Sequence, residues 1–292
     1  MSATKTVEAV GEVAAELGEG PCWDADTATL VWVDIPGGAI HRTVPETGAT
    51  TTVRRSPPVS LALPTERGLL VALREQLVLL DEKGGSTLVA ALPAEPGVRF
   101  NDGARDRSGR LWIGTMHTSR EPGAAALYRL DRGGRLTRML RGVTVSNGLD
   151  WSPNGRTLYY VDTPTLRIDA FDYEPHSGTI TARRPFADLT DSGGRPDGLT
   201  VDAAGGVWVA LFSGGALRRY TPEGNLDLIV PLPVTHPTSC AFGGADLGDL
   251  YVTTAREPLS AAARTEQPLA GRLLRLRPSV PGLPITTVGD PR

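Results

Sequence analysis

The chain has 292 residues, and its 34 glycines and 24 prolines exceed the average share of residues that end helices and form turns. Hydrophobic residues make up 40% and the formal net charge is −3, which argues against a disordered chain and provides no field to attract nucleic acid or an anionic membrane. The sequence has no run of about 18 apolar residues that would predict a membrane-spanning helix, and two cysteines are too few for a disulfide framework. Residues Met1–Val10 lack the apolar run of a signal peptide, so we expect a cytoplasmic protein.

The predicted elements follow one pattern that recurs six times along the chain. In each repeat a polar or glycine-containing turn precedes an apolar strand, and a second turn and a further strand follow. The matched apolar positions are Trp32, Leu70, Trp112, Tyr159, Trp208 and Tyr251. Their spacing of 38 to 49 residues is typical of a β-propeller with four short strands per unit. We therefore predict an all-β fold, a six-bladed β-propeller with four-stranded antiparallel blades, as a single domain over residues 1–292.

The last repeat is too short to supply all of its own strands. The segment Gly271–Arg277 is its predicted outer strand, and a proline-rich tail follows. We expect the N-terminal segment Lys5–Val10 to supply the missing strand and close the ring. Closure would remove the sheet edges that otherwise invite aggregation.

Four polar residues that a propeller does not need stand at the start of predicted innermost strands. They are Glu19, Asn101, Asn147 and Asp197. Because the innermost strands of a propeller start at the same mouth of its central channel, we expect these side chains to converge there. Their oxygen atoms suit a hard cation such as Ca²⁺, Mg²⁺ or Mn²⁺. The alternative is that Asn-Gly and Asp-Gly are ordinary turn residues, which their recurrence at one position of the blade disfavours.

Seven motifs in order along the chain carry a resemblance to a known family. They are Gly-Glu-Gly-Pro at 18–21, Arg-Phe-Asn-Asp-Gly at 99–103, Gly-Thr-Met at 114–116, Ser-Asn-Gly-Leu at 146–149, Pro-Asp-Gly-Leu-Thr-Val-Asp at 196–202, Gly-Gly-Ala-Leu-Arg-Arg-Tyr at 214–220 and Pro-Thr-Ser-Cys-Ala-Phe-Gly-Gly at 237–244. From Gly18 to Arg277 the sequence resembles the SMP-30/gluconolactonase/luciferin-regenerating-enzyme family of regucalcin-like sugar lactonases. The resemblance implies a six-bladed propeller with one divalent metal ion near the channel mouth.

The resemblance also implies which residues hold the metal ion. The metal-binding Glu, Asn and Asp of the family match Glu19, Asn147 and Asp197. The ion is expected to be Ca²⁺, Mg²⁺, Mn²⁺, Zn²⁺ or Fe(II), because a site of oxygen ligands does not select among them by affinity alone.

Substrate contacts are implied in the same way. The family's substrate-binding Arg and Asn match Arg99 and Asn101, and Glu121 and His117 are further candidates on the loop after Gly-Thr-Met. These residues would bind the ring oxygens and hydroxyl groups of a small sugar.

The implied reaction is hydrolysis of a sugar lactone, such as glucono-, xylono- or arabinono-lactone, to the aldonic acid. The metal ion would stabilise charge on the carbonyl oxygen and lower the pKa of its bound water. We assign Asp197 as the general base that accepts the proton of the attacking water. Asp102 is the alternative, because a ligand carboxylate with a low pKa is a poor base.

Other classes of function stay open. A non-catalytic propeller could bind Ca²⁺ or a partner protein, and a phosphotriesterase or another esterase could use the same metal site. Arg99 and Asn101 favour the lactonase, since a structural metal ion does not need them. Neither a His-Glu-x-x-His zinc motif nor a Gly-x-Ser-x-Gly elbow occurs in the sequence. We expect a monomer that acts on a small sugar lactone and has no nucleic-acid or membrane partner.

Overall fold

The computed structural model describes residues 6–131 and 133–284. These residues form six four-stranded antiparallel sheets, and the innermost strand of each sheet packs against the innermost strands of the two neighbouring sheets. The predicted all-β fold, a six-bladed β-propeller, is confirmed. Within the same residues, no helix has the length and apolar character that crossing a bilayer requires.

The strands follow the chain blade by blade, starting from the N-terminal strand β1 (Glu8–Ala14). The first blade contains β2 (Gly18–Asp24), β3 (Thr29–Asp34), β4 (Ala39–Thr43) and β5 (Thr50–Arg54), and the second contains β6 (Val59–Thr65), β7 (Gly68–Leu73), β8 (Gln76–Leu80) and β9 (Ser86–Ala91). The third contains β10 (Val98–Arg105), β11 (Leu111–His117), β12 (Ala125–Leu130) and β13 (Leu136–Val143), and the fourth contains β14 (Ser146–Trp151), β15 (Thr157–Asp162), β16 (Arg167–Glu174) and β17 (Thr179–Asp188). The fifth contains β18 (Arg195–Val201), β19 (Val207–Phe212), β20 (Ala216–Tyr220) and β21 (Leu226–Pro231), and the sixth contains β22 (Pro237–Gly243), β23 (Asp249–Thr254) and β24 (Arg272–Leu276). Two short helices are a 3-10 turn (Thr163–Thr165) and α1 (Ala261–Glu266).

The N-terminal strand closes the ring, as predicted, but with different bounds. Strand β1 pairs antiparallel with β24 and is the outermost strand of the sixth blade, so β24 is the third strand and not the outer one. Glu8 and Glu12 on β1 form ion pairs with Arg275 and Arg272 on β24, which places Glu8–Ala14 in register. Lys5, where the strand was expected to begin, lies outside the described residues.

Two of the repeats, in the third and fifth blades, are held by a contact between the first turn and the second strand. In the fifth blade, Asp202 accepts hydrogen bonds from the backbone N–H groups of Ala204 and Gly206 through one oxygen. Its other oxygen accepts from Trp208 Nε1 at 2.8 Å, and Trp208 is 1% exposed. Asp106 and Trp112 repeat this arrangement in the third blade. In these two blades, the turn-and-strand pattern of the sequence therefore corresponds to a buried Asp–Trp pair that joins the hairpin to the core between blades.

All six innermost strands share a register irregularity near their starts. The pairing of each innermost strand with its neighbour shifts at Glu19/Cys22, Val59/Leu61, Phe100/Gly103, Ser146/Leu149, Pro196/Leu199 and Pro237/Ser239. A bulge turns the extra residue out of the regular alternation and re-aims its side chain. Because the irregularity has the same phase in every blade, the six re-aimed positions form a ring at one mouth of the channel.

Candidate functional site

The bulge ring contains the four polar residues that the sequence singles out. Glu19, Asn101, Asn147 and Asp197 stand at the bulges of the first, third, fourth and fifth blades, and each is 7% or 8% exposed. Burial of four such residues without a structural need in the fold points to a built site. Ser60 and Thr238 take the corresponding places in the second and sixth blades.

A directional chain of hydrogen bonds connects four residues of this mouth. Arg99 Nη1 donates to Asn101 Oδ1 at 3.0 Å, and Asn101 Nδ2 donates to Asn147 Oδ1 at 2.8 Å. Asn147 Nδ2 then donates to Thr163 Oγ1 at 2.7 Å, and Thr163 donates to the carbonyl oxygen of Pro196 at 2.9 Å. The chain spans the third, fourth and fifth blades and ends beside Asp197.

The orientation of the Asn147 amide follows from the number of protons available. A threonine hydroxyl has one proton, and Thr163 donates it to Pro196, so Thr163 can only accept from Asn147. Asn147 therefore presents its NH₂ group to Thr163 and its carbonyl oxygen to Asn101. That oxygen keeps a second lone pair, which is what a cation ligand needs.

Gly148 lets the neighbouring innermost strands approach each other here. A Cβ atom added to Gly148 would lie 2.5 Å from the nitrogen of Leu199 and 2.6 Å from the carbonyl oxygen of Asp197. Only a residue without a side chain therefore fits between Asn147 and Asp197 at this separation.

The carboxyl groups of the site are electrostatically coupled. Burial raises the pKa of Glu19 well above its ordinary value, and the charges of Asp197 and Asp102 raise it further. Burial and then the charge of Asp102 likewise raise the pKa of Asp197, with Arg120 acting in the opposite direction. Burial raises the pKa of Asp102 to about 6, although the N–H group of Gly103 donates to its Oδ1 at 2.7 Å. A bound cation would compensate this concentration of negative charge.

The donor set is therefore suited to a metal ion, with carboxylate and amide oxygens as ligands. Across residues 6–131 and 133–284, no group of three or more His, Cys, Asp or Glu side chains is arranged to hold a cation. A cation bound at this mouth would combine the carboxylates of Glu19 and Asp197 with the amide oxygen of Asn147, as the sequence predicts. Such a set resembles the oxygen-rich sites that hard divalent cations occupy.

Arg99 provides the positive side of the site. Burial lowers the pKa of Arg99 to about 10; the negative charge of Glu19 opposes this shift, while the positive charges of Arg120 and Arg74 add to it. Arg74 lies on the loop between β7 and β8, where its carbonyl oxygen accepts from the N–H of Phe100 at 2.7 Å. Neither Arg74 nor Arg120 forms an ion pair with any residue that the structure describes. The mouth thus has a group of positive charges beside the carboxyl groups.

Glu121 and His117 are not part of the hydrogen-bond chain. Glu121 is exposed on the loop between β11 and β12, and its side chain forms no hydrogen bond or ion pair within the described part of the chain. The His117 ring nitrogen Nδ1 lies 2.6 Å from Ser119 Oγ, so the ring is held within its own loop. Their roles in substrate binding stay predictions.

Sequence reasoning missed three residues of this site. Thr163 belongs to the short helix after β15, and Arg74 and Arg120 belong to loops of the second and third blades. None of them stands in a motif, and a threonine or arginine in a loop carries no signal of its own. They become visible only when the loops are placed above the innermost strands.

Comparison with known proteins agrees with this fold. Residues 17–256 match the family model described as the SMP-30/Gluconolactonase/LRE-like region. A 6-deoxy-6-sulfogluconolactonase of Pseudomonas putida is 38% identical over 283 residues, which cover 95% of this chain and 97% of that protein. A pentonolactonase of Haloferax volcanii is 33% identical over 283 residues, covering 96% and 97% respectively.

A solved structure shows the same likeness in three dimensions. The structure of regucalcin from Agrobacterium tumefaciens, described as a calcium-binding protein, has a TM-score of 0.90 and 33% sequence identity, and covers 96% of this chain and 95% of that one. The protein belongs to the SMP-30/gluconolactonase/LRE-like family.

Proposed function

We propose that the protein is a divalent-metal-dependent lactonase that hydrolyses a sugar lactone to its aldonic acid. The observation that carries the proposal is the hydrogen-bond chain that joins Arg99 and Asn101 to Asn147 beside the coupled carboxyl groups. A site that served only to hold a cation would not need a buried guanidinium group next to it. The lactonase names of the relatives support the same reaction.

Glu19, Asn147 and Asp197 would hold the metal ion. When bound, a divalent cation would supply Lewis-acid stabilisation of the charge that develops on the lactone carbonyl oxygen. Thr163 fixes the Asn147 carbonyl oxygen in the direction that binding requires. Asn101 and Arg99 bind the ring oxygen and hydroxyl groups of the substrate, with the planar donor fork of Arg99 suited to two acceptors at once.

The attacking water must lose a proton, and two carboxyl groups can receive it. Asp197 is adjacent to the reacting centre, and the charge of Asp102 raises its pKa. The pKa of Asp102 is about 6, which is close to the value that an efficient base needs at neutral pH. We assign the proton to these two carboxyl groups, because the charge of Asp102 raises the pKa of Asp197.

The positive charges at the mouth favour a lactone with an acidic substituent. Besides burial, the charges of Arg74 and Arg120 both lower the pKa of Arg99, and neither residue forms an ion pair with a described residue, although the charge of Arg120 also opposes the rise in the pKa of Asp197. A sulfonate, phosphate or carboxylate on the sugar would be attracted to this group. The name of the Pseudomonas putida relative includes a sulfonated gluconolactone, which is consistent with such a substrate.

A calcium-binding propeller without catalytic activity is the second candidate, favoured by the description of the solved regucalcin structure. A panel of neutral and acidic sugar lactones, assayed by acid release with added Ca²⁺, Mn²⁺ or Zn²⁺ and with EDTA, separates the two. Turnover that EDTA removes and the metal ion restores supports the lactonase. Cation binding without turnover of any lactone would leave the calcium-binding function.

A further inference from the structure

The central channel continues past the candidate site toward the opposite face of the propeller. One cavity of about 140 Å³ reaches from Asp102 down the six innermost strands. A second cavity of about 140 Å³ lies below it and ends at Leu283 and Pro284 of the C-terminal segment. The two share Cys22, Arg105 and Asp150 in their lining, so they adjoin each other along the channel.

Arg105 lines both cavities and has no acidic partner. It is partly buried, and within the described residues its guanidinium group forms no hydrogen bond and no ion pair. Burial lowers its pKa, and the only nearby group that opposes this shift is the Cys22 thiol. An arginine inside a protein is nearly always paired, because removing an uncompensated charge from water is costly. The five donors of Arg105 therefore face the cavity without an acceptor from the protein.

Arg107 brings a second positive charge to the lower cavity. Its Nε atom is buried without a hydrogen-bond partner among the described residues, and its Nη1 donates only a long bond of 3.4 Å to the carbonyl oxygen of Pro284. Arg105 and Arg107 thus leave donors unused on the same cavity.

The acidic residues of this cavity form their hydrogen bonds with groups other than Arg105 and Arg107. The Asp150 carboxylate accepts from the N–H groups of Trp151 at 2.7 Å and Val201 at 2.8 Å, and from Thr200 Oγ1 at 3.1 Å. It forms no hydrogen bond with either arginine. Asp106 is paired with Arg110 and also accepts from Trp112 Nε1. Burial raises the pKa of Asp150 and the charge of Arg107 opposes this rise, so these two groups interact without a hydrogen bond. Arg105, Arg107 and Arg110 still exceed Asp106 and Asp150 by one charge, which leaves one surplus positive charge and several unused hydrogen-bond donors at the lower cavity.

We propose that the lower cavity binds a small oxyanion between Arg105 and Arg107. Two guanidinium groups can donate to the oxygens of a phosphate, a sulfate or a carboxylate in the bidentate geometry that these anions favour. The cavity is larger than a single water molecule requires. The segment 281–284 lies over this mouth, where Gly282 N–H donates to the Leu247 carbonyl oxygen at 2.8 Å and Ala203 N–H donates to that of Pro281 at 2.9 Å. This second site is independent of the proposed lactonase site.

Thermal unfolding in inorganic phosphate tests the site. At constant ionic strength, replacing chloride by phosphate should raise the Tm of the EDTA-treated wild type in a saturable way, by about 3 °C at ten times the dissociation constant. In Arg105→Gln the phosphate-dependent rise should disappear, while the Tm without phosphate stays equal or increases, because an unpaired charge has been removed. Sulfate and gluconate as further probes distinguish a tetrahedral anion from a carboxylate.

Two control variants locate the effect. Arg156→Gln removes an exposed arginine on the same face that has no ion pair in the described chain, and it should keep the full phosphate response. Arg99→Gln should also keep it, which separates the lower cavity from the upper mouth. An equal phosphate response in wild type and Arg105→Gln would overturn the proposal, as would a response lost only in Arg99→Gln.

Crystals soaked in sodium bromide provide a direct second measurement. The anomalous signal should show a bromide ion between Arg105 and Arg107 in the wild type. Its absence there, in crystals that bind bromide elsewhere, would equally overturn the proposal, even if Arg105→Gln fails to fold.

Discussion

Asn147 Nδ2 donates to Thr163 Oγ1 at 2.7 Å, and this bond determines which atom of the Asn147 amide faces the candidate metal site. Thr163 donates its only hydroxyl proton to the Pro196 carbonyl oxygen, so the amide cannot reverse without losing a bond. A loop residue of the fourth blade thus orients a ligand candidate on the innermost strand of the same blade. Residues that orient ligands from behind commonly change metal affinity strongly when substituted.

Thr163→Val keeps the shape of the side chain and removes the acceptor for Asn147. We expect metal affinity to fall by about 10- to 100-fold, because the Asn147 amide is free to rotate. Isothermal titration with Ca²⁺ or Mn²⁺ measures the loss. Thr163→Ser, which keeps the hydroxyl group, is the matched control and should bind nearly as the wild type does. Equal affinity in the Val and Ser variants would show that the hydrogen bond does not orient a ligand.

Asp102→Asn and Asp197→Asn should separate proton transfer from metal binding. We expect Asp197→Asn to lose both metal binding and turnover, because it removes a ligand charge. Asp102→Asn should retain metal binding and lose about 100- to 10,000-fold in kcat, since it removes one member of the proton-accepting pair. Titration calorimetry and steady-state kinetics on the same preparations provide the comparison. Unchanged kcat in Asp102→Asn would restrict the base to Asp197.

The stability of the metal-free protein should decrease as the pH rises. The pKa of Asp102 is about 6 in the folded protein, above its ordinary value near 4, so the folded state keeps this proton when the unfolded state has lost it. The stabilisation is complete below about pH 4 and is lost as the pH rises through about 6, for a total of at most about 3 kcal/mol. Glu19 and Asp197 act with the same sign, because their pKa values are also raised.

Thermal unfolding in EDTA between about pH 4.5 and pH 8, a range that spans the Asp102 pKa of about 6, measures this dependence. Asp102→Asn should flatten the curve, and saturating Ca²⁺ should reverse the destabilisation by binding the ionised carboxylates. A metal-free Tm that increases across this pH range would contradict the buried, coupled state of these groups.

Gly148→Ala should both weaken metal binding at the candidate site and lower the stability of the core. The added Cβ atom would lie 2.5 Å from the Leu199 nitrogen, so the β14 and β18 strands must separate. We expect a loss of about 1–3 kcal/mol in unfolding free energy, together with weaker metal binding. Gly84→Ala is the comparison, because its surroundings are open and only its positive φ of 84° is strained. Metal binding that survives in Gly148→Ala would mean that the close approach of these strands is not needed.

Arg120→Gln should weaken the binding of an acidic substrate without changing the rate of the chemical step. We expect KM for an acidic sugar lactone to rise about three- to fivefold, with kcat and the KM of a neutral lactone unchanged, since an exposed charge contributes modestly. Steady-state kinetics at low and high salt check this, because the difference should shrink as salt screens the charge. An equal change for both lactones would point to a structural role for the Arg120 loop.

Much of the fold could be predicted because the repeat is written into local sequence. The Asp202 turn and Trp208 strand form a contact over six positions, and Asp106 and Trp112 repeat it, so these two blades can be predicted from short stretches of sequence. The bounds of β1 were harder to predict, since its strand pairing and its ion pairs are all with β24, at the far end of the chain.

The sequence by itself determined the propeller, the family, and the buried positions Glu19, Asn101, Asn147 and Asp197, because these depend on patterns within a few residues of each other. Only the tertiary structure decided how those residues are connected. Asn101 and Asn147 are 46 residues apart when they share a hydrogen bond, and Thr163 and Arg120 act from loops that have no motif. The same holds for Arg105, whose missing partner cannot be read from its neighbours in sequence. Short-range chemistry is encoded locally, whereas charge balance and ligand orientation arise where distant strands meet.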